Sequence, residues 1–547
     1  MSVAQRGVSA EVLASISTPD TVESRLGVLE FDDGAPTAAT AALLYDHLDF
    51  VHGVEAFIRA YPGASMTAMR DGFRSIGVED NSVLLFSDLM DSDSLFLTAN
   101  CDTVYFLSFV DLSAGPMVMD VPAMGPPSGI LGTVDDMWFG WVTDFGVPGP
   151  DRGLGGRYLI VGPGYDGPLP DGGFHVAHAK TAHVGVLGRA FMVDNDPAPA
   201  VEALRAGFRI SPYVPGGHGT AVATFLSGAV SHLAPATAVP ETRFVEGSGV
   251  AFNTVPPNDY TFWEVVDRLV QDEPASGGES ELMGLLASVG IVKGRPFAPD
   301  ERMRTILEDA VAVGNATART IAFAPRPEEG FAFYPGSAWF NMLFVGGYEF
   351  LDPPPQITPD GAVRGSSDGA RKLNSRIAFL YPYTGITPAM CMRLTGLGSQ
   401  YLIAMRDAEG AFLDGARSYR LTLPPDIPES RFWSVMLYDR QTRSMLQTGQ
   451  PRPDVGSQSG RVAANPDGST DVHIGPTPPD GKRDNWLQTV PGKGFFVILR
   501  LYSPLQPFFD KTWRPGEVEP VAEASTSAVP RQATRSEQVP QGARSHR

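Results

Sequence analysis

Two cysteines, Cys101 and Cys391, are all that the 547 residues contain. That excludes a disulfide framework and any cysteine-rich zinc pattern, while leaving room for one bridge. No stretch reaches the roughly 18 consecutive apolar residues of a membrane helix. The opening residues Met1 to Gly7 lack the apolar core of a signal peptide, and Glu11 fits one poorly. The chain therefore reads as cytoplasmic. Positive charge is also scarce: 42 Lys and Arg stand against 62 Asp and Glu, a formal net charge of −20. Such a field repels phosphate backbones and anionic lipid, which argues against nucleic acid or a membrane as a general partner. Several catalytic signatures are missing as well. There is no His-Glu-x-x-His, and Gly247-Ser248-Gly249 lacks the spacing of a nucleophile elbow. Gly153, Gly155 and Gly156 precede an expected strand rather than a helix, the reverse of the dinucleotide-binding order. No internal repeat emerges.

What the chain has in abundance is turn-forming residues, 59 glycines and 48 prolines. Dispersed as they are, they punctuate short apolar runs and favour β-rich structure. The length calls for two or more domains. Strands are expected at 82–86, 95–97, 104–110, 117–121, 138–142, 157–161 and 184–193, which together suggest a sandwich or barrel-like unit. A helix is expected over 36–60, capped by Thr37 and ended by Pro62-Gly63.

The period then changes. Residues 198–208, 260–271, 280–289 and 300–316 carry helical spacing, and the last has an apolar stripe through Met303, Ile306, Leu307, Ala310 and Val311. That stripe is expected to pack on the preceding sheet. After Pro353-Pro354-Pro355 come a short helix over 371–381 and strands at 401–405, 418–423, 432–438, 471–474 and 495–502. The fold class expected is mainly β with an inserted helical segment (α+β), built on two antiparallel sandwich or jelly-roll-like domains. The divisions are 20–330 for a β-rich domain with a helical C-terminal part, 331–517 for a second sandwich, and 518–547 for a polar tail with no apolar periodicity, expected to be disordered.

Certain blocks go further. Asn100, Asp102, Thr103 and Tyr105 are followed by Asp111-Leu112-Ser113-Ala114-Gly115-Pro116, Asp136-Met137-Trp138 and Gly155-Gly156-Arg157-Tyr158-Leu159. Near the other end stand Asp407, Asp414-Gly415, Phe432-Trp433-Ser434, Tyr438-Asp439 and Asn485-Trp486-Leu487. As a set these resemble the tandem domains of unknown function DUF1254 and DUF1214, found side by side in bacterial proteins, over about 20–517. The resemblance implies a β-rich two-domain protein with helices between. It also implies a hydrolase or metal-dependent enzyme, with no reaction general to the family. Gln488 and Val490 stand where many relatives carry proline, so the loop after Trp486 is expected to differ in shape.

Asn100, Asp102 and Tyr105 form the first candidate catalytic group. On an extended strand Asn100 and Asp102 share a face and Tyr105 points away, so a common site requires a bend. An amide beside a carboxylate suits a hard divalent cation, Ca²⁺ or Mg²⁺, or an oriented water. The competing account is a buried network in which Asp102 and Thr103 hold a turn. Trp138, Arg189, Asn485 and Trp486 are the candidate substrate-binding residues. Trp486, with Asn485, Trp433 and Tyr438, offers either an apolar wall with an amide or, as the favoured reading, a plug at one end of a sandwich. Arg189 and Arg500 sit in apolar strands and should pair with a carboxylate or line a cleft, pairing being favoured. His175, His178 and His183 do not converge on one strand face, and Cys101 has no histidine local in sequence.

The functional expectation is a small-molecule hydrolase assisted by a divalent cation, with Asp102 as base or ligand. The alternatives are a binding protein for a carbohydrate or another small ligand, and an assembly or scaffold protein. A homo-oligomer fits any of the three.

Overall fold

In the computed structural model, residues 8–125, 128–215, 240–355 and 369–521 are described. The chain is mainly β with helices, and most of its helical residues lie between two sandwiches. The first sandwich has a six-stranded sheet in the order Phe244–Glu246, Val83–Leu85, Val104–Asp111, His183–Ala190, Ile130–Asp136 and Trp141–Gly146. It stacks on a four-stranded sheet of His175–His178, Gly156–Val161, Met117–Val121 and Arg209–Pro212. The second has a five-stranded sheet ordered Trp339–Phe340, Ser399–Ala404, Phe495–Pro504, Glu429–Asp439 and Asp454–Gly456. Its partner sheet is Trp486–Gln488, Thr470–Gly475, Tyr419–Leu423 and Val518–Pro520. The central pairs are antiparallel, as expected, but three edge pairs are parallel: Phe244–Glu246 with Val83–Leu85, Gly156–Val161 with His175–His178, and Thr470–Gly475 with Trp486–Gln488.

Period-2 alternation assigns each large sheet two jobs. Val104, Phe106 and Val110 face the four-stranded sheet, whereas Leu107 and Phe109 face the helices. Leu402, Ala404, Val435, Leu437, Val497 and Leu499 fill the second sandwich, whereas Tyr401, Ile403, Met436, Tyr438, Phe496 and Ile498 join the helical core. One shared core therefore lies between the two large sheets.

The helix that fills most of it runs Ala38–Ser75, with the Thr37 hydroxyl accepting from the Thr40 amide at its start. It passes through Pro62, where the sequence placed its end. Proline removes one backbone donor at a cost of about 3 kcal/mol in an open helix. Here nearly every residue from Gly53 to Phe73 is enclosed or half enclosed, and that burial outweighs the loss. Gly63 explains the fit, because a Cβ there would lie 2.5 Å from Leu269 Cδ2 and 2.7 Å from Trp138 Cε3. The stripe of the later helix, Glu301–Phe323, packs on this long helix and not on a sheet, with Ala310 against Gly53 and Gly314 against Phe57.

The strand Ile130–Asp136 was not anticipated. Its glycine and aspartates, Gly132, Asp135 and Asp136, interrupt the apolar pattern, yet it pairs on both sides within the sheet. The last sheet also extends beyond 517, since Val518 pairs with Leu421. The rest of the expected tail, 522–547, lies outside the described residues. No helix among the described residues is long and apolar enough to cross a membrane.

Candidate functional site

The site begins with a loop. Residues 98–103 precede the strand Val104–Asp111 and are not extended, and Thr98 has φ +47°, a conformation that costs a β-branched residue energy. The second sandwich holds this loop from several sides. The Thr98 amide donates to Arg443 O at 2.8 Å, and Arg500 Nη2 donates to Thr98 O at 2.8 Å. Tyr438 OH donates to Ala99 O at 2.6 Å, and Gln458 Nε2 to Asp102 O at 3.1 Å. Ser434 Oγ and Tyr502 OH both donate to Asp102 Oδ2, at 2.7 and 2.9 Å.

The bend brings Asn100 to Tyr105. Asn100 Oδ1 accepts from the Asp102 amide and from Thr103 Oγ1, each at 3.0 Å. A backbone amide can only donate, so the Asn100 side chain has one orientation, with Nδ2 donating to Tyr105 OH at 3.0 Å. The Tyr105 hydroxyl therefore accepts from Asn100 and keeps its own proton for another acceptor.

Tyr105 lines a cavity of about 150 Å³ between the two large sheets. Cross-strand register builds its polar end. Tyr105 lies opposite Arg189 in the first sheet, and Tyr401 opposite Arg500 in the second. Asn100 and Ser399 also border it, and the walls are largely apolar, with Leu107, Leu131, Leu187 and Met390 among them. Neither Arg189 nor Arg500 has a carboxylate within 4.0 Å among the described residues, so the favoured expectation of structural ion pairs is not met. Arg500 is 2% exposed, and among the described residues its Nε has no hydrogen-bond partner; nor has Ser399 Oγ. Burial lowers the tendency of both guanidiniums to hold their protons, but the surrounding tyrosines, with Asp102 beside Arg500, more than offset it, and both stay cationic. Burial pushes the Tyr105 phenol up, against the pull of Arg189 and Arg500.

Asp102 does not line that cavity. It lines a neighbouring one of about 610 Å³, with Cys101, Asp454 and Trp486. Burial raises its carboxyl above the ordinary range, opposed by the Ser434 bond, the Arg500 charge and the Tyr502 bond. Asp454 is pushed up to about 7 by burial and by the charge of Asp102.

The remaining sequence candidates do not converge on the first cavity. Trp138 lines a third cavity beside Lys180 and Arg376. Asn485 is fully engaged, donating to Ala463 O and Asp471 O and accepting from the Ala463 amide, and so ties the loop before strand Trp486–Gln488. Trp486 donates to Gly475 O at 2.9 Å and is 7% exposed, at the edge of the second cavity. His183 turns to Glu273 at 2.7 Å, apart from any histidine cluster. Sequence reasoning missed Ser399, Tyr401 and Asp454. Ser399 and Tyr401 sit two apart on one strand face, but only the register with Tyr502 and Arg500 gives that face a meaning.

Two sandwiches gripping one polar loop define a tandem β-domain protein. Residues 81–212 match DUF1254 and residues 398–506 match DUF1214, each a protein family of unknown function, so the chain carries both domains of this tandem pair. The crystal structure of the VPA0106 protein from Vibrio parahaemolyticus is similar, at 17% identity over 87% of this chain and 100% of that one, with a TM-score of 0.48. An uncharacterised protein from Burkholderia cenocepacia covers 88% of this chain and 97% of its own at 12% identity, with a TM-score of 0.35. No curated protein matches the chain.

Proposed function

We propose that the protein binds a small organic anion, a carboxylate carried on a short-chain or single-ring apolar body, in the cavity between the two large sheets. The observation that carries this reading is that Arg189 and Arg500 both border the cavity without an ion pair among the described residues. Buried cations are rarely left unmatched, because an unpaired charge in a low-dielectric site is costly. An anion bound there gains two guanidiniums and the spare proton of Tyr105. A dry apolar space near 150 Å³ is about what one benzene ring fills, which sets the size of the body. Leucine and methionine walls favour such a body over a sugar, whose hydroxyls would need more partners than the cavity offers.

Hydrolysis, expected from the sequence, has less support in this cavity. Among the described residues no histidine, aspartate or glutamate lines it, so none of them offers a general base there. Binding is the better-supported activity.

The test is a thermal-shift and calorimetric screen of short-chain and aromatic carboxylates against their neutral alcohols and amides. The acids should bind and the neutral isosteres should not. Arg189→Gln should weaken the best acid at least tenfold, the effect of losing one charge-assisted hydrogen bond of about 1.5–3 kcal/mol. Equal binding of acids and neutral isosteres would sink the reading, and so would an Arg189→Gln variant that binds the acid undiminished.

A further inference from the structure

We propose that Cys101, Asp102 and Asp454 form a binding site for a thiophilic divalent metal, zinc foremost, in the neighbouring cavity. One ligand atom from each of the three lies within 4.8 Å of the others. The Cys101 Sγ to Asp454 Oδ1 separation is 3.5 Å. A tetrahedral zinc with bonds of about 2.3 Å to sulfur and 2.0 Å to oxygen holds those two ligands roughly that far apart. That one pair is spaced as two ligands of a single metal would be, and the third ligand atom lies within 4.8 Å of both.

A second observation points the same way. Both hydrogen bonds to the Asp102 carboxylate go to Oδ2, from Ser434 and Tyr502, and Oδ1 receives none among the described residues, although Asp102 is 4% exposed and borders the cavity. Ser434 and Tyr502 thereby act as outer partners that orient the carboxylate and leave its other oxygen to face an ion.

The donor set decides which metal. Ca²⁺ and Mg²⁺ take oxygen ligands, and Asn100, which the sequence paired with Asp102 for such an ion, has its oxygen engaged by the Asp102 amide and Thr103. A thiolate selects zinc, cobalt or ferrous iron instead. Three protein ligands leave one tetrahedral position open. It faces the cavity, where Arg461 and Arg483 also stand without ion pairs among the described residues, so an anionic oxygen is suited to fill it. The other group of potential ligands, Asp80, Asp111 and His183, carries no such reading, because Arg70 and Arg74 already bind Asp80 and Glu273 binds His183.

The experiment is metal loading of the full, untagged protein. After incubation with zinc and gel filtration, metal analysis should find one equivalent, and zinc should raise the melting temperature. Cobalt(II) should bind in place of zinc and give a near-ultraviolet thiolate-to-metal charge-transfer band. Cys101→Ser should abolish the band and Asp454→Asn should lower the affinity at least tenfold, while Cys391→Ser should leave both unchanged. Substoichiometric zinc in the wild type, or cobalt bound without a thiolate band, overturns the proposal whatever the variants do. A band that survives Cys101→Ser and vanishes in Cys391→Ser overturns it equally. Carboxylate binding in the first cavity is read separately and is expected to persist in Cys101→Ser.

Discussion

Ser434 Oγ lies 2.7 Å from Asp102 Oδ2, joining residues 332 positions apart in the chain and two different sandwiches. Tyr502 OH reaches the same oxygen at 2.9 Å. The block Asn100-Cys101-Asp102-Thr103 belongs by sequence to the first sandwich, but the second supplies much of what holds it. Asp102 lines the second cavity with Cys101 and Asp454, while its loop neighbour Asn100 lines the first with Tyr105 and Arg500.

Ser434→Ala should therefore destabilise the protein by about 1.5–3 kcal/mol, the range for a buried hydrogen bond to a charged group. Tyr502→Phe should cost a similar amount. Because both hydroxyls serve one oxygen, the double variant should show coupling, not additivity. Denaturant midpoints would check this. Unchanged midpoints in both single variants would mean that the loop is held without Asp102.

A second expectation concerns pH. Burial pushes the Asp144 carboxyl up to about 6 from an ordinary 3.8, even though Thr387 Oγ1 at 2.7 Å and Trp141 Nε1 at 3.0 Å favour its charged form. The folded state then holds the proton more tightly than the unfolded state. This contribution is fully present below the unfolded value and is lost as pH rises to about 6 and beyond, by up to about 3 kcal/mol. Asp136, also raised to about 6, acts in the same direction. Asp144→Asn should flatten the stability profile between about pH 4 and 6 by roughly half of the slope the two share. A profile superimposable on wild type would show that Asp144 titrates normally.

Gly63 offers a test of packing. In an open helix, glycine to alanine stabilises by about 0.8–1 kcal/mol. Here the new Cβ would lie 2.5 Å from Leu269 Cδ2 and 2.7 Å from the Trp138 ring. Overpacking of that kind costs about 1–3 kcal/mol, so the sign should reverse and Gly63→Ala should lower the melting temperature. A gain in stability would mean that Trp138 and Leu269 move aside freely.

Gly63 also marks where sequence reading stops. Pro62-Gly63 is a stop signal when only neighbours in sequence are considered. It becomes a packing device because Trp138 and Leu269, far along the chain, close on it. The strands with alternating apolar residues were legible because their faces are filled by apolar neighbours on both sides. The strand Ile130–Asp136 was not, since Gly132 and Asp135 serve a tertiary environment its own sequence does not contain: Gly132 lies under the Phe145 ring, and Asp135 accepts from the Ile386 amide at 3.1 Å. For the site, Arg189 and Arg500 stood out as charges in apolar strands, which is a local signal. That they face a common cavity depends on two sheets meeting across more than 300 residues, and no local pattern encodes it.

The Tyr105 hydroxyl is the sharpest test of how the first cavity works. Asn100 Nδ2 donates to it at 3.0 Å, and the Asn100 amide cannot flip without setting its NH₂ group against the Asp102 amide donor. Tyr105 must therefore donate its proton elsewhere, and Arg189, its neighbour across the strand pair, can only donate as well. Arg189 is hydrogen-bonded to Tyr401, and the anion proposed above would give the Tyr105 proton an acceptor. Tyr105→Phe removes the donor and leaves Asn100 Nδ2 without its acceptor. The apo protein should lose about 1–3 kcal/mol from that unpaired group. Carboxylate affinity should fall a further five- to tenfold, about the worth of one net hydrogen bond of 1–1.5 kcal/mol. The double variant Asn100→Leu with Tyr105→Phe separates the two effects, because it removes both partners: stability should partly recover while affinity stays low. If affinity recovers together with stability, Tyr105 serves the loop and not the ligand.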